Sequence, residues 1–316
     1  MVPQRLSLAL ALSLLLAASS ARAGSGVTGA TLMAERTGAR ASGMGEAYSA
    51  LGEDLGVVFY NPAGLAPVKR PLATFLHYSA IALVNIDYFG YEHPFSFGPM
   101  AASLLVRGQP DINNPLAQDN PVSANDILVC VSYAQRPSYF FKDLPERFVP
   151  LEMGVNLKYM RSHLGTFDSD AVAVDLGARY PQDEATTLAL SLLNLGPPVH
   201  FVATSDPLPI TAILGGARRF EFGSNVLNLA GDLEYPIFED IRMHFGVEDW
   251  VSKSLALRVG YILEPSQNLG GLTAGFSVKL DQEDLSFGFD YAFKPAYYDS
   301  FSSFEPQHLL AMNLGF

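Results

Sequence analysis

The sequence predicts an all-β protein: a transmembrane antiparallel β-barrel of about 14 strands, with an N-terminal hatch inside its lumen. Three observations carry this. Segments of alternating large-apolar and small-or-polar residues recur through most of the chain. The 316 residues are 49% apolar but only 16% charged, against roughly 25% charged in soluble domains. After the first 23 residues, no apolar run approaches the ~18 residues that would span a bilayer as a helix.

The N-terminus comes first. Arg5 is followed by the apolar stretch 6–18 and by Ala21-Arg22-Ala23. A basic residue, a short apolar core and a small-x-small site together make a secretory signal peptide, whose core is too short for a membrane helix. Residues 1–23 are therefore read as the signal peptide, 24–71 as the hatch segment and 72–316 as the barrel. Without its leader the chain keeps 18 basic and 32 acidic residues, a net charge of −14. An acidic chain repels nucleic acid, which is excluded as a partner. The single cysteine, Cys130, excludes a disulfide scaffold, and its place in a strand predicts a packed thiol.

The strands follow in order. The clearest is 284–294, where Leu285, Phe287, Phe289, Tyr291 and Phe293 alternate with Ser286, Gly288, Asp290 and Ala292. That period of two gives a strand with two different faces. The same pattern sets Leu151, Met153, Val155, Leu157 and Tyr159 against Glu152, Gly154, Asn156 and Lys158. Fourteen such segments fall near 72–80, 83–95, 98–107, 125–135, 149–160, 169–180, 186–195, 208–220, 226–236, 241–251, 254–262, 271–281, 284–294 and 305–316. Gly90 is a candidate bulge that would flip the phase of the second. A soluble sandwich also alternates. However, it does not place Arg, Glu, Asp and Lys on every second face, whereas a barrel with a polar lumen does. Residues 72–316 supply about 17.5 residues per strand and link, a hairpin meander. The chain ends on a terminal aromatic, Phe316, which resembles the assembly signal of outer-membrane barrels.

Link lengths set the orientation. The links after the second, sixth, eighth, tenth and twelfth strands are short, and those after the third, seventh, eleventh and thirteenth are longer and polar. Short turns belong to the periplasmic rim, so both barrel ends lie there. The link 136–148 breaks this rule; a short amphipathic helix near 140–147 is the expectation for it.

The alternation directs Glu152, Lys158, Asp175, Arg179, Asp232, Glu234, Arg242, His244, Glu248, Arg258, Lys279 and Asp290 into the lumen. Both charge signs are present, so pairing offsets desolvation. The expected polar network is Arg242, His244, Glu248, Arg258, Lys279 and Asp290. It either ties barrel to hatch or, through Arg242, Arg258 or Lys279, takes a ligand carboxylate. For hydrolysis the one histidine near carboxylates is His163, beside Asp168 and Asp170 in an outer loop, with no serine motif. No catalytic residue, metal site or cofactor is expected. The loop 111–120 holds several oxygens without a calcium-binding spacing.

In the hatch segment, Met44, Tyr48, Leu51, Val57, Val58, Phe59 and Tyr60 require burial. A disordered periplasmic tail would leave them in water, whereas a fourteen-stranded barrel has a lumen to receive them. Asn61-Pro62-Ala63-Gly64 suits a sharp turn, because Asn bonds its own downstream backbone and Pro fixes φ. The stretch from Gly38 to Tyr48, followed by Phe59-Tyr60-Asn61-Pro62-Ala63-Gly64-Leu65-Ala66, resembles the N-terminal region of the PorV/PorQ family. It is more distantly similar to the FadL-type long-chain fatty-acid transporters. The resemblance implies a hatch-plugged outer-membrane barrel lodged in bacterial outer-membrane lipid. In the transporter branch, hydrophobic substrates cross through the barrel wall. In the PorV branch, such barrels serve protein secretion or surface attachment. Two functions follow as expectations. One is passage of small hydrophobic or amphipathic compounds, with an apolar pocket between hatch and wall opening beside the third strand. The other is an accessory that docks secretion-system or surface proteins, with a filled lumen and large ordered loops.

Overall fold

A computed structural model describes residues 28–79, 84–112, 122–201, 204–265, 269–294 and 306–316. The signal peptide and most of the loop 111–120 lie outside them. Fourteen strands close into one antiparallel barrel: β1 (Leu72–Ser79), β2 (Asn85–Phe95), β3 (Gly98–Ile112), β4 (Val122–Gln135), β5 (Glu152–Leu164), β6 (Phe167–Pro181), β7 (Thr186–Leu195), β10 (Thr211–Phe222), β11 (Asn225–Pro236), β12 (Arg242–Trp250), β13 (Leu255–Glu264), β14 (Leu269–Gln282), β15 (Leu285–Lys294) and β16 (Gln307–Gly315). β1 pairs with β16 from Leu72↔Gly315 to His77↔Leu310 and closes the cylinder. The link between β7 and β10 carries a hairpin absent from the sequence reading, β8 (Val199–Phe201) with β9 (Thr204–Asp206). Its three-residue strands are too short for a visible alternation.

Each strand is two-faced. Phe75, Leu157, Leu176, Phe245, Leu272 and Phe287 project outward and are exposed. Their partners across the backbone are small or polar and turn inward. An apolar outer belt on a closed cylinder, with every backbone edge paired, is the arrangement that lipid requires. No described helix is long and apolar enough to cross a membrane, so the strands do the crossing.

Three expectations are corrected. Gly90 is no bulge: β1 and β2 pair without a register shift from Leu72↔Glu92 to Ser79↔Asn85. Gly90 faces inward, where an added Cβ would strike the Tyr88 hydroxyl at 2.4 Å and Leu55 at 3.1 Å. Its small size explains the blurred pattern. The link after β4 holds one helical turn, Pro137–Phe140, and a 3-10 turn, Glu146–Phe148, rather than an amphipathic helix over 140–147. Finally, β5 runs to Leu164, which places His163 on a strand and not in a loop.

Residues 28–71 fill the lumen. Short turns at Thr31–Ala34, Ala39–Gly43, Leu55–Phe59 and Pro62–Leu65 fold the hatch into a plug. Leu55, Val57, Val58 and Phe59 bury against Leu76, Tyr88, Leu105 and Leu128 of β1–β4, which satisfies the apolar demand read from the sequence.

Candidate functional site: the hatch and the lumen it closes

The hatch is held differently on its two sides. Toward β1–β4 it presents the apolar face just described. Toward β11–β15 it is tied by charge. Arg40 donates to both Glu248 oxygens, Nε at 2.7 Å and Nη2 at 2.8 Å. Glu248 also accepts from Arg258 Nε at 2.6 Å. Arg36 pairs with Glu234 at 2.5 Å, and Lys294 with Glu46 at 2.5 Å. The Asp232 carboxylate accepts from the Tyr48 and Ser49 amides and from the Ser49 hydroxyl, all at 2.8 Å. His244 Nδ1 donates to the Gly45 carbonyl at 2.8 Å, and Nε2 meets Glu234 at 2.8 Å. These buried charges are mutually paired, as the dry interior demands.

Glycines in the strands make sockets for the hatch backbone. Gly246 and Gly260 face each other across β12 and β13. A Cβ on Gly260 would lie 1.9 Å from the Gly45 nitrogen, and one on Gly246 would lie 2.4 Å from the Met44 carbonyl oxygen. Gly45 itself has a φ of +63°, which glycine adopts without strain. A second pair, Gly154 and Gly177, spans β5 and β6. There a Cβ would meet the Ala63 nitrogen at 2.3 Å and the Asn61 Oδ1 at 2.1 Å.

That second socket holds Asn61-Pro62-Ala63-Gly64. Asn61 is fully buried and caps the turn Pro62–Leu65, its Oδ1 accepting from the Ala63 amide at 3.0 Å, with Pro62 opening the turn. Its Nδ2 donates to the carbonyls of Ser49 at 3.0 Å and Ala178 at 3.1 Å. One side chain therefore joins turn, hatch and wall. Gly64 packs at 2.3 Å from Val57 Cγ2, measured from an added Cβ, so this position admits no side chain.

The lumen residues divide by what they bond. Arg242 is surrounded by Glu234, Glu239 and Glu264, three carboxylates that already outnumber its charge and would repel a ligand carboxylate. Lys279 sits 3.3 Å from Asp281 at the periplasmic rim. Asp290 accepts from Ser277 and from Asn313 Nδ2. Arg258 differs. Its Nε serves Glu248, yet Nη1 and Nη2 have no hydrogen-bond partner among the described residues although the side chain is fully buried. Its Nη1 is 3.6 Å from Asp290, beyond hydrogen-bond range.

Arg258 faces a cavity of about 370 Å³ at the periplasmic end, between hatch and wall. Glu92, which the sequence reading did not select, faces it too, with Oε2 buried and unbonded. A second cavity of about 510 Å³ lies at the outer end, bounded by Thr31, Ile86, Arg107, Asp126 and Gln307. A void of about 20 Å³ lies between Arg40 and Asp54 of the hatch and Leu76, Tyr88, Asp290 and Ala311 of the wall. All three border β2 and β16; the second cavity extends round to β3–β5, and the first to β12–β15. Among the described residues β3 pairs continuously with β2 from Phe95↔Gly98 to Asn85↔Gly108, with no gap on that side. Its one irregularity, between Gln109 and Ile112 against β4, lies at the outer end.

The remaining candidates resolve simply. His163 pairs with Asp168 at 2.7 Å, and Arg161 with the same carboxylate at 2.9 Å, an exposed cross-strand ion cluster. Asp170 accepts from the Tyr159 hydroxyl at 2.6 Å. Cys130 is a buried free thiol, its sulfur 3.6 Å from the Ser132 hydroxyl. Among the described residues no three His, Cys, Asp or Glu side chains converge as metal ligands.

The hatch cations Arg36 and Arg40 and the wall glycines escaped sequence reasoning. Arg40 lay within the quoted motif, but nothing in the sequence pairs it with Glu248, 208 residues away.

No family model matches the sequence, and no curated protein matches it. Solved structures do match its fold. The toluene transporter TbuX of Ralstonia pickettii superimposes with a TM-score of 0.62 at 12% identity, over 89% of this chain and 98% of that one. The toluene transporter TodX of Pseudomonas putida gives 0.56 at 13%, over 89% and 97%. A FadL homologue of Pseudomonas aeruginosa gives 0.57 at 9%, over 89% and 98%. The chain has the fold of the FadL-like outer-membrane barrels.

Proposed function

We propose that this chain carries small hydrophobic or amphipathic compounds across the outer membrane, along the seam between the hatch and β1, β2 and β16. The observation that supports it is that three separate voids between hatch and wall, one near each end of the barrel and a small one with a lining that includes Leu76, Tyr88 and Ala311, all border β2 and β16. The narrow middle void is of mixed character: Leu76, Tyr88 and Ala311 offer an apolar wall, and Arg40, Asp54 and Asp290 a charged one, which suits an amphiphile with both kinds of surface. The opposite, charged side of the hatch acts as the hinge, since its paired carboxylates and guanidiniums are costly to separate. At the end of the route, the polar head of an amphiphile would meet Arg258, whose Nη1 and Nη2 make no hydrogen bond and whose nearest further carboxylate is Asp290 at 3.6 Å. The neighbours named for toluene transport fit the apolar class of solute.

Uptake tests this. Cells or vesicles carrying the protein take up a labelled monoaromatic or medium-chain amphiphile faster than those without it. Ala311→Trp fills the narrow void and abolishes the gain. If Ala311→Trp vesicles keep full uptake, the seam is not the route. A second reading, an accessory of the PorV/PorQ type that docks a secretion or surface protein, is favoured by how fully the hatch fills the lumen. Recovery of such a partner together with absence of any uptake selects it over transport.

A further inference from the structure

The periplasmic link 136–151 has no place in the transport route, and it is the one turn at its end of the barrel too long for its job. It exposes Tyr139, Phe140, Phe141, Phe148 and Val149, with Phe140 and Phe141 at 59% and 64%. The link is ordered into two turns, clipped by the Ser138 hydroxyl on the Val149 carbonyl at 3.4 Å. Large aromatics held rigidly in water would be a standing cost of apolar exposure.

Their neighbours show where they belong. Tyr139 lies within electrostatic reach of Tyr133, which is on the outward face of β4. Tyr133 packs beside Phe97, Phe97 stacks on Phe95 at 5.2 Å, and Phe95 meets His93 at 4.5 Å. Tyr91 and the terminal Phe316 continue the row at 6.2 Å. This is the aromatic girdle of the barrel's periplasmic rim, where ring bodies sit in the headgroup layer. The link prolongs it. Lys142 lies over Tyr139 at 5.6 Å, and Arg147 over Phe148 at 4.9 Å. Aromatic bodies with cationic tips suit the boundary between acyl chains and phosphates. The link carries Arg136, Lys142 and Arg147 against Asp143 and Glu146, a net positive stretch in a strongly acidic chain.

We infer that the 136–151 link is an interfacial lipid anchor, inserting its aromatics into the phospholipid leaflet on the periplasmic side with Lys142 and Arg147 at the phosphates. This rests on the membrane-spanning barrel alone and is independent of the transport reading. It explains the excess length: a bare turn needs a few residues, while an anchor needs enough chain to fold back onto the girdle.

The test uses the full barrel in vesicles of phosphatidylethanolamine and phosphatidylglycerol. Phe141→Cys is labelled with an environment-sensitive fluorophore; the native Cys130 is buried and serves as an unlabelled background, verified on the unsubstituted chain. Glu184→Cys, in another turn at the same end, is the water-exposed control. The label at position 141 is expected to emit to the blue of the control. Brominated lipid should quench it at the depth of an interfacial segment, about 5–10 Å into the headgroup and acyl boundary, and aqueous iodide should quench it several-fold less than the control. Phe148→Cys is expected to behave alike, so one misfolded variant does not decide the outcome. Iodide quenching equal to the control at both positions overturns the anchor. So does protection that arises only when a periplasmic protein extract is added, since the surface would then serve a protein.

Discussion

Gly260 and Gly177 decide where the hatch sits. Each is replaceable by alanine as far as its own strand is concerned, because its outward neighbours and cross-strand hydrogen bonds are ordinary. The cost lies across the lumen, where a methyl group would meet hatch backbone at 1.9 Å from Gly45 and 2.1 Å from the Asn61 side chain. Backbone in a filled lumen yields little, and overpacking of this kind costs about 1–3 kcal/mol. Gly260→Ala is therefore expected to keep the barrel closed but unseat the hatch. Planar-bilayer recording should find larger or noisier conductance, and unchanged conductance would count against the socket. Asn61 makes a second residue-scale case. Asn61→Ala loses the cap, at about 1 kcal/mol, and leaves the Ser49 and Ala178 carbonyls without that donor in a dry site, about 1–3 kcal/mol more. Asn61→Asp keeps the acceptor that caps Ala63 but loses both donated bonds. Thermal unfolding in detergent should show both variants less stable than the parent. An Asn61→Ala melting point equal to the parent would show that the turn chemistry alone carries the motif. The turn chemistry was legible in Asn-Pro-Ala-Gly. The bond to Ala178 was not, because it joins residues 117 apart.

At the scale of elements, the hatch has a charged side and an apolar side, and they respond to different agents. Glu248 is shared by Arg40 of the hatch and Arg258 of β13. Glu248→Ala removes the carboxylate that joins the two cations, leaving Arg40 with Asp54 at 3.0 Å and Arg258 with Asp290 at 3.6 Å, and breaking a buried pair typically costs up to about 3–5 kcal/mol. Hatch release, read as raised conductance, is the expected result. The acid response follows from Glu46 in the hatch. Burial alone would raise its carboxyl, but Lys294, His244 and Arg36 outweigh burial and hold it below its ordinary value of 4.5. A depressed carboxyl contributes stability that is full above the unfolded value and is lost as pH falls through the folded one. Acidification below about 4.5 should therefore loosen the hatch, and Glu46→Gln should flatten that dependence. A conductance trace flat with pH in the parent protein would remove Glu46 from the latch. The strands themselves were readable almost residue by residue, because lipid outside and hatch inside impose opposite chemistry on successive positions. Where one face is neither, the reading failed. The hairpin β8–β9 is a separate two-stranded sheet rather than part of the barrel wall, and Gly90 lost its side chain to Tyr88 and Leu55.

For the whole molecule, the apolar, weakly charged composition and the acidic balance now have separate causes. The apolar half of each strand meets lipid. The charges gather in the lumen, at the rim and in the loops, where they pair or are hydrated. The leader remains a proposal with a direct check: the mature protein purified from outer membranes should begin at Gly24, and an intact mass that retains residues 1–23 would exclude cleavage there. The sequence by itself determined the barrel, its strand count and the direction of every lumen charge named, because each depends only on the period of two. The tertiary structure alone decided which charges are spent on the hatch and which are left open. Arg242 and Arg258 read alike along the chain, both inward cations on long strands. Three carboxylates close around the first, while the second gives one hydrogen bond to Glu248 and keeps Nη1 and Nη2 without one. That difference is set by residues far apart in sequence, brought together when the sheet closes around its own N-terminus.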